Sequence, residues 1–364
     1  MGKKAFFDYF PVPGYLNFPA VGFDVSDGAI KFVELLQNRH GLRVGKYGKV
    51  ELNLSEKTKE GDKEWGDAVT KALVGIKKEH GFEYARVSLP EDQAYFIRTG
   101  VPKVKFAEVR GNIELQLEEY ISYPPADVNF DYEIVGEDAE SFKVAVSVMP
   151  ISVVENYGAV FKNAGITPIV LEVESEASSR ALVPSGGNES FMLVNLGMKH
   201  SVLSISDGKS VLFSHMIKVG GADFTRKICE TFSVSKEEGE EMKFEKGLLQ
   251  NPENQDLVFC LAPIVSSVRD EIMKHLWYWD SHGDEFGVKN TPVKKIIIFG
   301  SQATIPGLMD YFSQSIGMPV VLGSPWKNIF SLEKYIPEIS AKKSVEFVTA
   351  VGLAVGGISS EAKK

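Results

Sequence analysis

The order of elements in this chain is written twice, and that repetition limits the possible folds more than any single motif does. Val21, Gly22 and Phe23 form a short apolar run that ends on the polar Asp24. A turn at Ser26, Asp27 and Gly28 leads into an alternating stretch over 29–35. Residues 42–52 alternate again, and 62–80 carry Trp65, Val69, Ala72, Leu73 and Ile76 at helical spacing. Period two predicts half-buried strands, and recurrence at i, i+3 and i+4 predicts an amphipathic helix. From Phe191 the same order returns. An apolar run ends on Asn195, a turn covers 196–199, strands cover 201–206 and 211–219 with Asp207 and Gly208 between them, and a helix over 223–232 opens after Gly220 and Gly221. Two related α/β lobes are the simplest account.

A buried strand that ends on a carboxylate or an amide pushes that group past the sheet edge, beside a turn. Glycine in the turn lets backbone N–H groups come close to a ligand, so two such turns facing each other make an anion cradle. One Asp-Gly hairpin alone would be only a hairpin; its duplication predicts a nucleotide cleft between lobes.

The texture changes between the halves. Residues 89–168 predict an extended run through Phe96, Ile97 and Arg98, a helix over 106–120, strands over 130–135 and 142–149, and a helix over 152–164 that stops at Gly165. This reads as a small α+β insertion. A strand over 169–174 and a helix over 176–182 resume the first half. The second half adds an acidic helix over 235–246, a long helix over 257–279 and an apolar strand over 293–299 broken at Gly300 and Ser301. Helices over 305–316 and 344–356 close the chain, the last rich in small residues that suit tight backbone packing.

Composition excludes several classes. Forty Lys and Arg against 49 Asp and Glu give a net charge of -9, unsuited to gripping phosphate backbones, so nucleic acid is not expected as a partner. The two cysteines, Cys229 and Cys260, form no disulfide framework, which points to a reducing cytosol. Residues 1–10 lack the apolar stretch of a signal peptide, and no run approaches the ~20 apolar residues of a membrane span. Membrane association, if any, is expected to be indirect. His275 and His282 stand seven apart without a third ligand nearby in sequence, and are read as structural rather than metal-binding. No Gly-x-Ser-x-Gly pattern supports a serine hydrolase.

On these residues the chain resembles the actin-like ATPase superfamily and, within it, the PilM family of type IV pilus assembly proteins, which is similar to FtsA. The likeness runs roughly from 18 to 357. It rests on Val21, Gly22, Phe23 and Asp24 through Lys31 to Leu35, on Val219, Gly220, Gly221, Ala222 and Asp223, on Pro306, Gly307 and Leu308, and on Ala350 to Ala354. It implies a duplicated actin-like (ribonuclease-H-like) two-lobe α/β fold with an inserted FtsA/PilM-type α+β subdomain. The parts would be 18–88, 169–187 and 340–358 for the first lobe, 89–168 for the insertion, 188–234 and 291–339 for the second lobe, and 235–290 for its outer subdomain.

The resemblance also implies ATP or ADP with Mg²⁺. Asp24 would hold the metal through water, and Lys31, seven residues on, would contact phosphate. Ser26, Asp27 and Gly28 would form the first phosphate loop, and Asn195 with Gly197 the second. Gly220, Gly221, Gly300, Ser301 and Gln302 would line the nucleoside side, Glu241 and Lys243 its far edge, and Glu174 would orient water. Four of these depart from the family pattern. Ser26 stands where glycine is common, Asp27 where a hydroxyl usually donates to phosphate, Asn195 replaces an acid, and Ser301 adds a side chain where glycine is usual. An amide cannot supply a carboxylate's charge or accept a proton, so hydrolysis is expected to be weak or absent. The implied partner is the N-terminal cytoplasmic peptide of PilN, bound between the first lobe and the insertion, with 86–88 and 96–100 as wall segments. That peptide would place the protein at the inner membrane, where pilus motor ATPases, other platform proteins and self-association are further expectations. The alternatives are an FtsA-like filament, disfavoured by the short polar stretch 358–364, a small-molecule kinase of the same fold, and a secretion-platform subunit of the GspL type.

Overall fold

The computed structural model describes residues 20–26, 28–38, 41–54, 58–184, 189–283 and 289–358. Within them the duplication is explicit. The first sheet contains β1 (Ala20–Ser26), β2 (Ala29–Asn38), β3 (Gly41–Glu51), β4 (Tyr84–Leu89) and β8 (Thr167–Val173), in the order β3-β2-β1-β4-β8. The second contains β9 (Ser190–Leu196), β10 (Ser201–Ser206), β11 (Val211–Ile217), β12 (Val293–Phe299) and β13 (Val320–Leu322), in the order β11-β10-β9-β12-β13. In each, three consecutive strands pair antiparallel and the last two join parallel to the first. A third sheet, of β5 (Tyr95–Pro102), β6 (Val128–Glu137) and β7 (Ser141–Pro150) in the order β5-β7-β6, belongs to the stretch read as an insertion.

Each sheet buries its own apolar face. Helix α1 (Lys63–His80) covers the first sheet with Trp65, Val69, Leu73 and Ile76, the spacing seen in sequence. Phe23, Phe32, Phe82 and Phe161 interlock beneath it at ring distances of 5.5 to 5.8 Å. Helix α2 (Phe106–Gln116) seals the third sheet with Val109 and Ile113, against Ile97, Val101, Val144 and Val146. Helix α3 (Ile151–Asn163) packs on the first lobe and α4 (Glu174–Leu182) follows β8 directly. The second lobe uses α5 (Gly221–Phe232), α6 (Lys236–Glu245), the 27-residue α7 (Gln255–Ser281) and α8 (Leu308–Ile316). No helix among the described residues is long and apolar enough to cross a membrane.

Several boundaries differ from the sequence reading, three of them with a clear structural reason or consequence. Helix α8 begins at Leu308, not 305, because Gly307 takes a left-handed φ of 76° and residues 301–307 form turns. Helix α4 begins at Glu174, which therefore opens a helix rather than ending a strand. The closing segment is broken into α9 (Ala341–Ser344), a 3₁₀ turn (Val345–Phe347) and α10 (Val348–Gly356).

Helix α10 is the keystone. Val348 to Val355 are all buried, and the helix touches both lobes. Val33 and Leu35 from the first sheet, Phe191, Leu193, Ile297 and Phe299 from the second, and Val348, Val351 and Ala354 form one apolar cluster. The contact is backbone to backbone. A Cβ on Gly352 would sit 1.8 Å from the Ala177 carbonyl oxygen of α4, and one on Gly22 of β1 would sit 2.0 Å from that of Ala350.

Replacing Gly352 by Ala should therefore cost about 3 kcal/mol in denaturant unfolding, since the methyl meets the α4 backbone rather than a side chain that could turn away. Gly75→Ala, on the exposed face of α1 where nothing lies within 4 Å of the new methyl, should instead stabilise by about 0.5–1 kcal/mol.

Candidate functional site: two paired hairpins and an open groove

Asp24 and Lys31 lie directly opposite each other in the β1–β2 ladder, and both are buried. The Lys31 ammonium sits 3.2 Å from Asp24 Oδ2 and donates to Ser26 Oγ at 3.4 Å. Ser88 of β4 donates to Asp24 Oδ1 at 3.2 Å and accepts the Val25 amide at 3.1 Å, fixing the carboxylate from the neighbouring strand. Gly28 closes the hairpin with a φ of 75°. Asp27 lies outside the described residues. The hairpin thus holds a carboxylate, an ammonium and a hydroxyl at one point, the donor set that a metal-bound phosphate requires.

The matching hairpin of the second lobe is stitched shut. Asn195 pairs with Val202 on one side and Phe299 on the other. Gly300 has a φ of 97° and presses on that amide, where a Cβ would lie 2.3 Å from Asn195 Oδ1. The Gly197 carbonyl accepts from the Gly221 amide at 2.9 Å and the Met198 carbonyl from Ala222 at 2.8 Å, so two of the N–H groups at the start of α5 are spent on the turn. The Asp223 carboxylate accepts the Gly220 amide at 3.0 Å. Gln302 is buried with its side chain against Gly221; its Nε2 donates to Ser301 Oγ at 3.0 Å, while its Oε1 has no hydrogen-bond partner. The space left among Leu196, Gly197, Gly220, Gly221 and Gln302 is about 10 Å³, room for at most one water.

Lys243 of α6 reaches this group from below. It is fully buried and donates to Gly221 O at 3.2 Å, Thr225 Oγ1 at 2.8 Å and Glu240 Oε1 at 2.9 Å. Burial lowers its pKa, and Glu240 opposes that shift. Glu241 is exposed on the same helix. Glu174 is buried at the start of α4, beside a residue absent from the sequence reading. Glu91 accepts the Ser175 amide at 3.1 Å and the Ser214 hydroxyl of β11, linking the two lobes, and burial pushes its carboxyl pKa up.

A cavity of about 580 Å³ lies elsewhere. Strands β6, β7 and β8 and helix α4 wall it, and Gly208, Lys209 and Ser210 of the β10–β11 turn close one end. Strand β8 is the edge of the first sheet and β6 the edge of the third, so two sheet edges border one groove. Of the wall segments expected from sequence, only Arg86 and Phe96 reach it. Strand β4 runs between β1 and β8, so both its backbone edges are already paired, whereas β5, which carries 96–100, is an edge of the third sheet.

The floor of the groove is charged. Arg180 forms a fork on Glu172, Nη1 to Oε1 at 2.8 Å and Nη2 to Oε2 at 2.5 Å, and Nη1 also donates to Gly352 O at 3.0 Å. Arg86 lies beside it with its Nε buried and lacking a hydrogen bond. Burial, with Glu172 and Glu91 nearby, raises Glu176 to about 7 against a lowering hydrogen bond from Ser147. Glu133 is also raised, first by burial and then by Asp207 and Asp131.

Because Glu176 holds its proton more tightly when folded, its contribution to stability is complete below the ordinary carboxylate pKa and is lost as pH rises through about 7. Glu176→Gln should accordingly match the parent at pH 5 and exceed it at pH 8 by about 2 kcal/mol in urea unfolding. A constant difference across that range would contradict this reading.

Comparison with known proteins agrees with this architecture. The sequence matches the family model for type IV pilus assembly protein PilM over residues 22–358. The backbone is similar to that of a PilM-PilN type IV pilus biogenesis complex, with a TM-score of 0.78 and 18% identity over 94% of this chain and 99% of that one. Ethanolamine utilization protein EutJ from Carboxydothermus hydrogenoformans matches at TM-score 0.55 and 14% identity, over 92% of this chain and 88% of its own. MreB5 of Spiroplasma citri, bound to ADP, matches at TM-score 0.55 and 11% identity, over 93% and 95%. These likenesses establish an actin-like two-lobe fold, and the family match, which spans nearly all of it, makes this chain a member of the type IV pilus assembly protein PilM family.

Proposed function

We propose that this chain is an actin-like scaffold of the type IV pilus assembly platform, binding the N-terminal cytoplasmic segment of PilN in the groove between β8 and the third sheet. The observation that carries this reading is the groove itself: about 580 Å³, bordered by two sheet edges. An extended peptide gains backbone hydrogen bonds by lying along a free edge, and side-chain pockets give it register. Here Phe96, Phe130, Tyr132 and Leu171 supply apolar wall, and Arg86, Arg180, Glu172 and Glu176 supply charges for a polar segment. Such binding would hold the protein on the cytoplasmic face of the inner membrane through its partner.

The interlobe cleft is proposed to take ATP or ADP. Asp24 would hold a hydrated Mg²⁺, and Lys31, Ser26 and Gly28 would face the phosphates. Gly197, Gly220 and Gly221 would meet them from the second lobe. The orphaned Gln302 Oε1, with Gly300, Ser301 and Lys243, lies on the nucleoside side. The bound metal would neutralise phosphate charge. For hydrolysis, Asn195 offers an amide where a carboxylate would be needed, so occupancy rather than turnover is the useful state. Opening the stitched second hairpin to admit nucleotide would shift the lobes, and Glu91, hydrogen-bonded to both, stands between cleft and groove.

Fluorescence anisotropy with a labelled PilN N-terminal peptide tests both halves. The parent should bind saturably, and Phe96→Ala with Tyr132→Ala should weaken binding by about 30-fold or more, as removal of two aromatic anchors does. Mg-ATP should change the affinity by about 5- to 150-fold in the parent and not in Lys31→Ala. Equal affinities for the parent and the double variant would move the peptide out of the groove.

A further inference from the structure

A side-chain cluster on the outer part of the second lobe plays no part in either site. His215 comes from β11, and Glu271 and His275 stand one turn apart on α7. Both imidazoles aim at the same carboxylate oxygen: Glu271 Oε2 lies 3.7 Å from His215 Nε2 and 3.4 Å from His275 Nε2. The two rings are 4.2 Å apart between centroids, and one ligand atom from each of the three residues falls within 4.8 Å of the others. His275 is only 9% exposed, packed on Phe213, and its Nε2 makes no hydrogen bond. A buried nitrogen without a hydrogen bond is costly, and here it faces two other groups of metal-ligating type.

We propose that His215, Glu271 and His275 form a divalent-metal site of the class that takes zinc, clipping the edge strand β11 to α7. Two imidazoles and one carboxylate are a recurrent zinc donor set. With metal–ligand bonds of roughly 2.0–2.2 Å, tetrahedral ligands stand about 3.3 Å apart, so the 3.4 and 3.7 Å to the carboxylate need to close by a few tenths of an ångström and the two imidazoles, within 4.8 Å, by at most about 1.5 Å. The His215 and Glu271 side chains are 38% and 33% exposed, which gives an ion a path in and leaves the fourth position to water. Lys274 opposes the ion: its ammonium lies 3.2 Å from Glu271 Oε2, but its side chain is exposed enough to swing away.

The position gives the site a consequence. Ser214, the neighbour of His215, is the β11 residue that donates to Glu91. Nearby, Arg98 of β5 stacks over Trp279 at 5.3 Å and donates to Asn290 at 2.7 Å. A metal pinning β11 to α7 therefore stiffens the seam where the second lobe meets the third sheet.

The test uses the full chain, stripped with chelator and titrated with Zn²⁺ by calorimetry and with Co²⁺ by visible absorption. One ion per chain is expected, with Co²⁺ bands of four- or five-coordinate intensity and a melting temperature that climbs with added Zn²⁺. His215→Gln, at a half-exposed strand position, should lower affinity by more than the ~10- to 100-fold typical of losing an outer-shell partner. Lys274→Ala should tighten binding, and His282→Gln should leave it unchanged. Glu271→Gln gives the same reading as His215→Gln if the latter does not fold. Absence of stoichiometric binding, or binding that survives both ligand substitutions, overturns the site.

Discussion

The structure depends on a place where two backbones touch with no side chain between them. Gly352 of α10 lies on the Ala177 carbonyl of α4, and Gly22 of β1 lies on that of Ala350, so the last described helix is fixed against the first strand within van der Waals distance. Any side chain at these positions would push α10 off β1 and α4, and with it the face it packs on Phe191, Leu193, Ile297 and Phe299. The same helix sets the chemistry of the groove. Arg180 donates to Gly352 O, and a Cβ on Gly356 would fall 2.9 Å from both Arg180 Nη1 and Arg86 Nη2. The groove's basic floor is therefore built on the element that joins the two lobes.

From this frame the two sites take opposite forms. The two hairpins are each paired within their own lobe: Lys31 with Asp24, and the second hairpin with the start of α5. A buried pair of this kind gains little net stability, since the Coulomb attraction mostly offsets desolvation. It does keep a cation and an anion side by side at the hairpin. The groove is open, with the Arg180–Glu172 fork set beside an apolar wall.

The duplicated fold was legible because periodicity is a local property: alternation marks the strands around Asp24 and Asn195, and the helical stripe of Trp65, Val69, Leu73 and Ile76 is buried as spaced. Asp24 and Lys31 were legible through their interval, which a tight hairpin turns into direct opposition across the ladder. What remained hidden comes together over long sequence distances. Ser88 reads as one residue of a strand until β4 lies beside β1, and Glu91 as a loop acid until Ser175 and Ser214 close on it. Which strands become edges is likewise not written in sequence: β4, with 86–88, is paired on both sides, while β8, β6 and β5 lie at sheet edges. His275 was read with His282, its neighbour along the chain, whereas its partners in space are Glu271 on its own helix and His215 on β11.

Hydrogen exchange read by mass spectrometry, with and without a saturating PilN N-terminal peptide, measures the central claim most directly. A peptide lying along the edge of β8 would satisfy amides that are now unpaired, so the account predicts slowed exchange in 167–173 and 128–137. The opposite edges at 41–51 and 320–322 should not change. Protection confined to the β1–β2 hairpin, or none at β8 and β6 at saturation, would contradict it.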